Sequence, residues 1–505
     1  MACKRANSPR SGASLSLNMA CPPAIRVKTD VFHHAPPLRS ILKSKNMQQM
    51  PDEVLARVME NLDVEQLFTC RLVCKRFRDF VRHPAVWRSR DIDASSPVLG
   101  LAPLVQLMRC EVKHLESRPS QPPPYATTGC AAEELELDVH EDACVLAALV
   151  VRNQEKLGRL RCVQVRYSPC DVGAPIMLET LLSTAGLEKL VVRQTLAPSS
   201  TPSTADGPVL YKKVTCAPSL VSFDCELFTR ESEDFCKIIL GGHAATLEEV
   251  NLCGDCDSFY YLTLKSNISS SSALAPLLAA CPKLRSLKSP LLPGMAAVAA
   301  CSSLRAVHFP VSEDMRHAVQ DAADLLSRAT QVREVTLDYV SWASPEVDVG
   351  LIRNMGPSVE SLTIRDVRDC GLRQPLERQR EDRLKSLPRA LPNLPTLRRL
   401  AVSVASWYDE LDELLLGLSP DSAPALRTLV LEEYYNLASH ACAHAWVHRD
   451  SVRKVLRANP TLRVSVPNLP KCCPEGEACS ECDRCDFSKS SECQKLSARV
   501  LTFKI

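Results

Sequence analysis

A Leu-x-x-Leu-x-Leu phrase, with Val, Ile, Phe or Ala substituting, recurs twelve times along the chain. It begins at Ala132, Leu160, Leu187, Leu220, Leu247, Leu284, Leu304, Val332, Val359, Leu397, Leu426 and, more weakly, Leu462. Successive starts are mostly 27 to 29 residues apart, with longer gaps near 33 to 38 and one short gap of 20. Its last part alternates apolar and polar residues, which puts three apolar side chains on one face of a short strand. A helix-compatible stretch fills each interval, and proline stands two residues before the phrase in six of the twelve cases: Pro218, Pro282, Pro357, Pro395, Pro424 and Pro460. Proline ends a helix and pushes its predecessor toward extended backbone, so it marks the change from helix to strand at one point of each repeat. The prediction is α/β: stacked repeats, one strand and one helical stretch each, about 11 to 12 in number.

A different pattern occupies Met50 to Arg90. Val54, Leu55, Val58 and Leu62 fall at helical spacing after Pro51, with Asp52 and Glu53 in the first turn. Asp63 reads as the cap of a second short helix, with Gln66 three residues on. Leu67, Phe68, Leu72, Val73, Phe77, Val81 and Trp87 add more apolar surface than three small helices can hide among themselves, so a partner must cover some of it.

This segment resembles the F-box. Pro51-Asp52-Glu53-Val54-Leu55 matches the family's opening phrase, Leu72-Val73-Cys74-Lys75-Arg76-Phe77 its central one and Pro84-Ala85-Val86-Trp87 its closing one; Met50 stands where Leu is usual, a volume-conserving exchange. The resemblance implies a small three-helix domain that docks on the SKP-type adaptor of an SCF cullin-RING ubiquitin ligase, through Pro51, Val54, Leu55, Val58, Leu62, Leu67, Leu72, Val73, Phe77 and Trp87. The repeats in turn resemble the cysteine-containing leucine-rich repeats found beside F-boxes, Cys281-Pro282-Lys283-Leu284 being a familiar phrase. That resemblance implies a right-handed solenoid with parallel strands on a concave face and helices on a convex one.

The expected organisation is a disordered N-terminal segment (1–46), the F-box (47–92), a connecting helix and Pro-rich linker (93–128), the solenoid (129–468) and a Cys-rich tail (469–505). The connecting helix is read from Leu101, Leu104, Val105, Met108, Val112 and Leu115, repeating at three and four. Within the linker, Pro122-Pro123-Pro124-Tyr125 fits the Pro-Pro-x-Tyr ligand of a WW-domain protein, or is plain extended spacer.

For a protein substrate, the late repeats offer Trp342, Trp407, Tyr408, Tyr434 and Tyr435 near one edge of the strands, either as interface anchors or as caps of the solenoid's own core. Outward positions such as Glu334, Thr336, Thr363, Arg365, Arg399 and Thr428 accompany them. Arg161, Arg285, Arg305, Arg333, Arg398, Arg427 and Arg463 share the second position of their repeats, where they would line up to meet an acidic segment. Glu133, Glu188, Glu248 and Glu360 share that position elsewhere, which favours a solvated rim.

Composition then removes whole classes. A formal net charge of +2 supplies no field for nucleic acid or an anionic membrane. The longest apolar candidate, Cys144 to Val151, is far too short for a membrane span, and the first 45 residues lack a signal peptide's apolar core. The expected location is cytoplasm, nucleus or both, where most of the 24 cysteines are reduced, buried small hydrophobes. Cys472, Cys473, Cys479, Cys482, Cys485 and Cys493 cluster in the tail, and Cys479-x2-Cys482-x2-Cys485 has a spacing that zinc or an iron-sulfur cluster can use, with His440, His444 and His448 nearby; a mobile thiol-rich tail is the alternative. The chain carries no Gly-rich phosphate loop, no G-x-S-x-G elbow and no His-Glu-x-x-His. The resemblance to the F-box then implies a non-catalytic receptor that brings substrate to the ligase for ubiquitination and proteasomal degradation, with a non-degradative scaffold or a metal- or redox-responsive regulator as alternatives.

Overall fold

The computed structural model describes residues 50–81, 83–92, 111–118, 125–140, 142–169, 171–195, 216–227, 229–253, 273–311, 313–339, 350–366, 387–404, 414–433, 450–466 and 501–503. Contacts divide the chain into two compact units between Val58 and Met59.

Helix α1 (Asp52–Glu60) opens with two carboxylates in its first turn, and the Leu55 amide donates to the Pro51 carbonyl at 3.0 Å. In the second unit, α2 (Val64–Cys70) carries the predicted capping box: Gln66 N–H donates to Asp63 Oδ1 at 2.7 Å, and Asp63 N–H to Gln66 Oε1 at 3.0 Å. Helix α3 (Lys75–Phe80) is capped by the Cys74 thiol, and α4 (Pro84–Trp87) ends on a fully buried tryptophan whose Nε1–H donates to the Val81 carbonyl at 2.5 Å. Arg90 then brackets the turn out of α4, donating from Nε to Val86 O at 2.7 Å and from Nη2 to Met59 O at 2.6 Å, with its guanidinium 5.9 Å from the Trp87 ring centroid. Its own carbonyl accepts from Lys113 N–H at 3.0 Å, so the same residue starts the sheet.

Among the described residues that sheet has fifteen strands in strict sequence order. The strands are β1 (Asp91–Ile92), β2 (Glu111–Ser117), β3 (Ala131–Asp138), β4 (Cys162–Tyr167), β5 (Lys189–Gln194), β6 (Ser222–Cys225), β7 (Glu249–Asn251), β8 (Ser286–Lys288), β9 (Ala306–Val311), β10 (Glu334–Tyr339), β11 (Ser361–Asp366), β12 (Arg399–Val404), β13 (Thr428–Glu433), β14 (Arg463–Val466) and β15 (Leu501–Phe503). The first fourteen are parallel; β15 closes the far edge antiparallel to β14. All twelve predicted starts lead into β3 to β14. Their register stacks Leu135, Val163, Leu190, Phe223, Val250, Leu287, Val307, Val335, Leu362, Leu400, Leu429 and Val464 into one buried row.

Helices α5 (Cys144–Leu157), α6 (Ala174–Ser183), α7 (Arg230–His243), α8 (Leu274–Ala279), α9 (Val319–Arg328) and α10 (Asp450–Ala458) occupy the intervals. The 20-residue repeat is too short for a longer helix, and a 3-10 helix, Met295–Ala300, crosses it instead.

The connecting helix is corrected at its C-terminal end. Val112 and Leu115, read as helical from their spacing, lie fully buried in β2, where Val112-x-x-Leu115-x-Ser117 is another copy of the repeat phrase. That phrase begins with a step of three, which a helix shares. The sheet consequently starts at Asp91 rather than near 129; Leu101 to Met108 lie outside the described residues.

A device missed in the sequence joins the repeats: the residue before the phrase is often Ser or Thr, and its hydroxyl donates to the carbonyl of the preceding repeat's first apolar residue. Ser219 reaches Leu187 O at 2.7 Å, Thr246 Leu220 O at 2.7 Å, Ser303 Leu284 O at 2.8 Å, Ser358 Val332 O at 3.0 Å and Thr396 Val359 O at 3.0 Å. Each such bond contributes about 1 kcal/mol. Thr246→Val is expected to lower the unfolding free energy by about that much, and Thr246→Val with Thr396→Val by about twice as much, since distant sites add; urea titration of the variants measures both.

His243 supplies a second prediction. Its ring is buried and Nδ1 accepts from the amides of Ser219 (3.2 Å) and Leu220 (3.4 Å), an arrangement that needs the neutral imidazole, and burial holds its pKa below the usual histidine value. The unfolded chain therefore binds this proton first as pH falls. The contribution is fully present above the unfolded histidine value and is lost on acidification through the folded one. Replacing His243 with Gln should flatten the loss of stability between neutral and mildly acidic pH; thermal melting across that range reads it.

Candidate functional site

The N-terminal helices divide their apolar side chains into two sets. Leu55, Leu67 and Trp87 are buried, as are Met59, Val81 and Val86, so these belong to the interior rather than to an adaptor-facing surface as expected from sequence. Leu62 and Phe77 are half-buried. Pro51, Val54, Val58, Leu72 and Val73 are exposed, Leu72 to 86%. Within α1, Val54 and Val58 are one turn apart on the face opposite Leu55, Ala56 and Met59. In the turn after α2, Leu72 N–H donates to Thr69 O at 3.0 Å and Val73 N–H to Cys70 O at 3.1 Å. The backbone there is satisfied while the side chains face water. Val54 and Val58 in the first unit, and Leu72 and Val73 in the second, are each an exposed aliphatic pair of the kind that a partner covers.

The outward face of the sheet is ionic over its first half. Glu136 on β3 pairs with Arg166 on β4 and lies 3.6 Å from His114 on β2; Asp138 lies 4.0 Å from Arg118 and 3.1 Å from His140. Arg193 on β5 grips Asp224 on β6 with two bonds of 2.5 and 2.6 Å, and Asn251 on β7 donates to the same carboxylate at 2.9 Å. This bidentate pair is largely sheltered, with side-chain exposures of 12% and 18%. His308 on β9 pairs with the fully buried Asp338 on β10.

Farther along the sheet, Thr336, Thr363 and Arg365 are half-buried, while Glu334, Arg399 and Thr428 mark the exposed-to-half-buried start of their strands. At β12 and β13 the same face presents Ala401, Ser403 and Val430, all buried. Trp342, Trp407, Tyr408, Tyr434 and Tyr435 lie outside the described residues.

The second-position row resolves into the rim. Arg161 pairs with Glu188 at 2.5 Å, Arg285 with Glu248 at 3.3 Å, and Glu360 with both Arg333 (3.6 Å) and Arg398 (3.9 Å). Arg305 and Arg427 donate to turn carbonyls within and beyond their own repeat. Neighbouring repeats thus pair four of the seven arginines, Arg161, Arg285, Arg333 and Arg398, with carboxylates.

Tyr125, the residue a WW domain would have to grasp, is buried, with φ 51°, and Asn153 Nδ2 donates to its backbone carbonyl at 3.4 Å. Pro122 to Pro124 lie outside the described residues. Cys130, Cys144, Cys225, Cys236, Cys253, Cys281 and Cys301 are buried; burial pushes the Cys144 and Cys236 thiols well up and Cys281 up to about 11, which keeps them protonated and unreactive at neutral pH. Among the described residues no group of three or more His, Cys, Asp or Glu is placed to hold a metal ion, and no helix is long and apolar enough to cross a membrane. The six tail cysteines and the three histidines before them lie outside the described residues.

The F-box-like family model matches residues 47–93. Curated proteins yield no match. Two solved structures are similar: the leucine-rich repeat-containing protein LegL7 from Legionella pneumophila, at 13% identity and TM-score 0.34 over 74% of this chain and 96% of that one, and the Rad7 and Elc1 complex of yeast, at 12% identity and TM-score 0.35 over 80% and 97%. Scores this low carry no argument, and the solenoid assignment rests on the repeat phrase and the strand register. Residues 47–93 are thus an F-box-like segment, and the strands that follow it stack as repeated single-strand units in strict sequence order.

Proposed function

We propose that this chain is a non-catalytic substrate receptor of an SCF-type cullin-RING ubiquitin ligase, acting in the cytoplasm or nucleus. The observation that carries the reading is the exposed aliphatic set, Val54, Val58, Leu72 and Val73, within the segment that matches the F-box-like family. An SKP-type adaptor covers those side chains and links the chain to the cullin. The repeats hold a protein substrate, and its lysines then experience a high effective concentration of activated ubiquitin. Arg90 and Trp87 support this reading physically, because they tie the last F-box helix to the first strands without a flexible spacer.

Val58→Asp combined with Leu72→Asp places charge at two exposed positions, so the melting temperature should stay near wild type. Adaptor co-purification should fall by the 2 to 4 kcal/mol typical of interface anchors, roughly thirtyfold to a thousandfold. Leu55→Asp, by contrast, buries a charge and should destabilise the fold itself. Full adaptor recovery by the folded double variant would refute the docking assignment.

The same double variant separates receptor from scaffold. Proteins captured by the solenoid should remain bound to it but lose their ubiquitination, because only proximity has been removed. Unchanged modification and turnover of every captured protein would favour a non-degradative scaffold. Quantitative ubiquitin-remnant mass spectrometry of the captured proteins distinguishes the two.

A further inference from the structure

The sheet changes character at its far edge. From β3 to β14 every strand lies parallel to the one before it, as winding a repeat requires. β15 reverses direction and lies antiparallel on β14. A parallel neighbour needs a crossover connection, whereas an antiparallel one can be laid on the edge without it. The edge of β14 therefore accepts a strand that is no part of the winding.

The pairing on that edge is short and matched in kind. Val464 lies opposite Phe503, Ser465 opposite Thr502 and Val466 opposite Leu501, so apolar residues meet apolar ones and a hydroxyl residue meets another. By comparison β12 and β13 pair over six residues, from Arg399 with Thr428 to Val404 with Glu433. Residues 467–500 join β14 to β15. A tether of that kind holds a segment at an effective concentration on the order of millimolar, which a separate peptide with a longer ladder can exceed in binding strength. An exposed strand edge is a template for another chain, and a main-chain ladder with alternating side chains is a recurrent way of recognising extended peptides.

We propose that the outer edge of β14 is a docking site for an extended segment of a partner protein, antiparallel to β14 and apolar, polar, apolar opposite Val466, Ser465 and Val464, and that β15 is its built-in competitor. Release of β15 opens the site and return of β15 closes it. The site lies outside the F-box-like segment, so it stands whether or not that segment binds an adaptor.

The probe is a fluorescein-labelled peptide with the sequence of residues 498–505, titrated with the full chain and read by fluorescence anisotropy. Leu501→Pro combined with Thr502→Pro removes the competitor. Successive residues of an antiparallel strand turn their N–H groups alternately toward and away from the neighbour, so one of two adjacent prolines must delete a ladder bond. The double variant should bind the peptide at least about tenfold more tightly than wild type, because its site is no longer occupied. A peptide carrying the same two prolines should bind neither chain. Hydrogen–deuterium exchange locates the contact: the segment holding Val464 to Val466 should exchange faster in the double variant and regain protection when the peptide is added. In the wild type, excess peptide should speed exchange at Leu501 to Phe503 while β14 stays protected, which keeps the test decisive should the double variant fold poorly. Equal affinity for the two chains, no binding by the double variant up to about 1 mM, or protection that appears away from β14 overturns the proposal.

Discussion

The sheet depends on parallel backbone pairing between repeats that are individually too small to fold. The pairing begins one residue before each strand: Arg161 N–H bonds to Glu133 O, Glu188 to Arg161, Arg285 to Glu248, Arg333 to Arg305, and so on to Arg463 on Arg427. A repeat offers two or three apolar side chains to a core it cannot close alone, and register with its neighbours turns those side chains into continuous buried rows. The hydroxyls of Ser219, Thr246, Ser303, Ser358 and Thr396 secure the same junctions from the side. Repeats can accordingly shrink, as the 3-10 crossing at Met295–Ala300 shows, provided the pairing residue and the strand remain in phase.

A sheet of this kind has two edges, and each exposes unpaired backbone unless something closes it. At the far edge β15 runs antiparallel against β14, with Val464 opposite Phe503. At the near edge the F-box helices lead straight into β1. Arg88 bonds to Glu111 on β2 at 3.0 Å, and Arg159 lies 3.7 Å from the same carboxylate and 3.2 Å from Glu133 on β3. Trp87 and Arg90 thus hold α4 against the first strands.

Much of the architecture was legible because it rests on repetition. Twelve strands, their phase and the 63/66 capping box all follow from spacings of a few residues, where physical chemistry is local. β2 was misread because Val112 and Leu115 at a step of three satisfy both a helix and the opening of the repeat phrase. The hydroxyl junctions were missed although their signal was present: Ser or Thr precedes the phrase in repeat after repeat. The candidate site was less legible. Val54, Leu55 and Val58 look like one apolar face in a helical wheel, yet Leu55 turns inward with Ala56 and Met59 while Val54 and Val58 turn out. Which side of such a helix is core depends on the elements around it, and spacing alone does not encode them. Likewise an arginine row and a glutamate row at one repeat position become ion pairs only when the register brings Arg161 to Glu188 or Arg285 to Glu248.

The distribution of charge over the sheet bears on where another protein can bind. A surface whose charges already satisfy one another, as with Arg193, Asp224 and Asn251, resists a ligand, because docking must desolvate the network without offering it better partners. Exposed aliphatic side chains carry no such penalty, and covering them releases apolar surface from water at about 25 cal/mol per Å². On that ground the first half of the sheet is built for rigidity. The exposed aliphatic side chains of Val54, Val58, Leu72 and Val73 have no such network to disrupt.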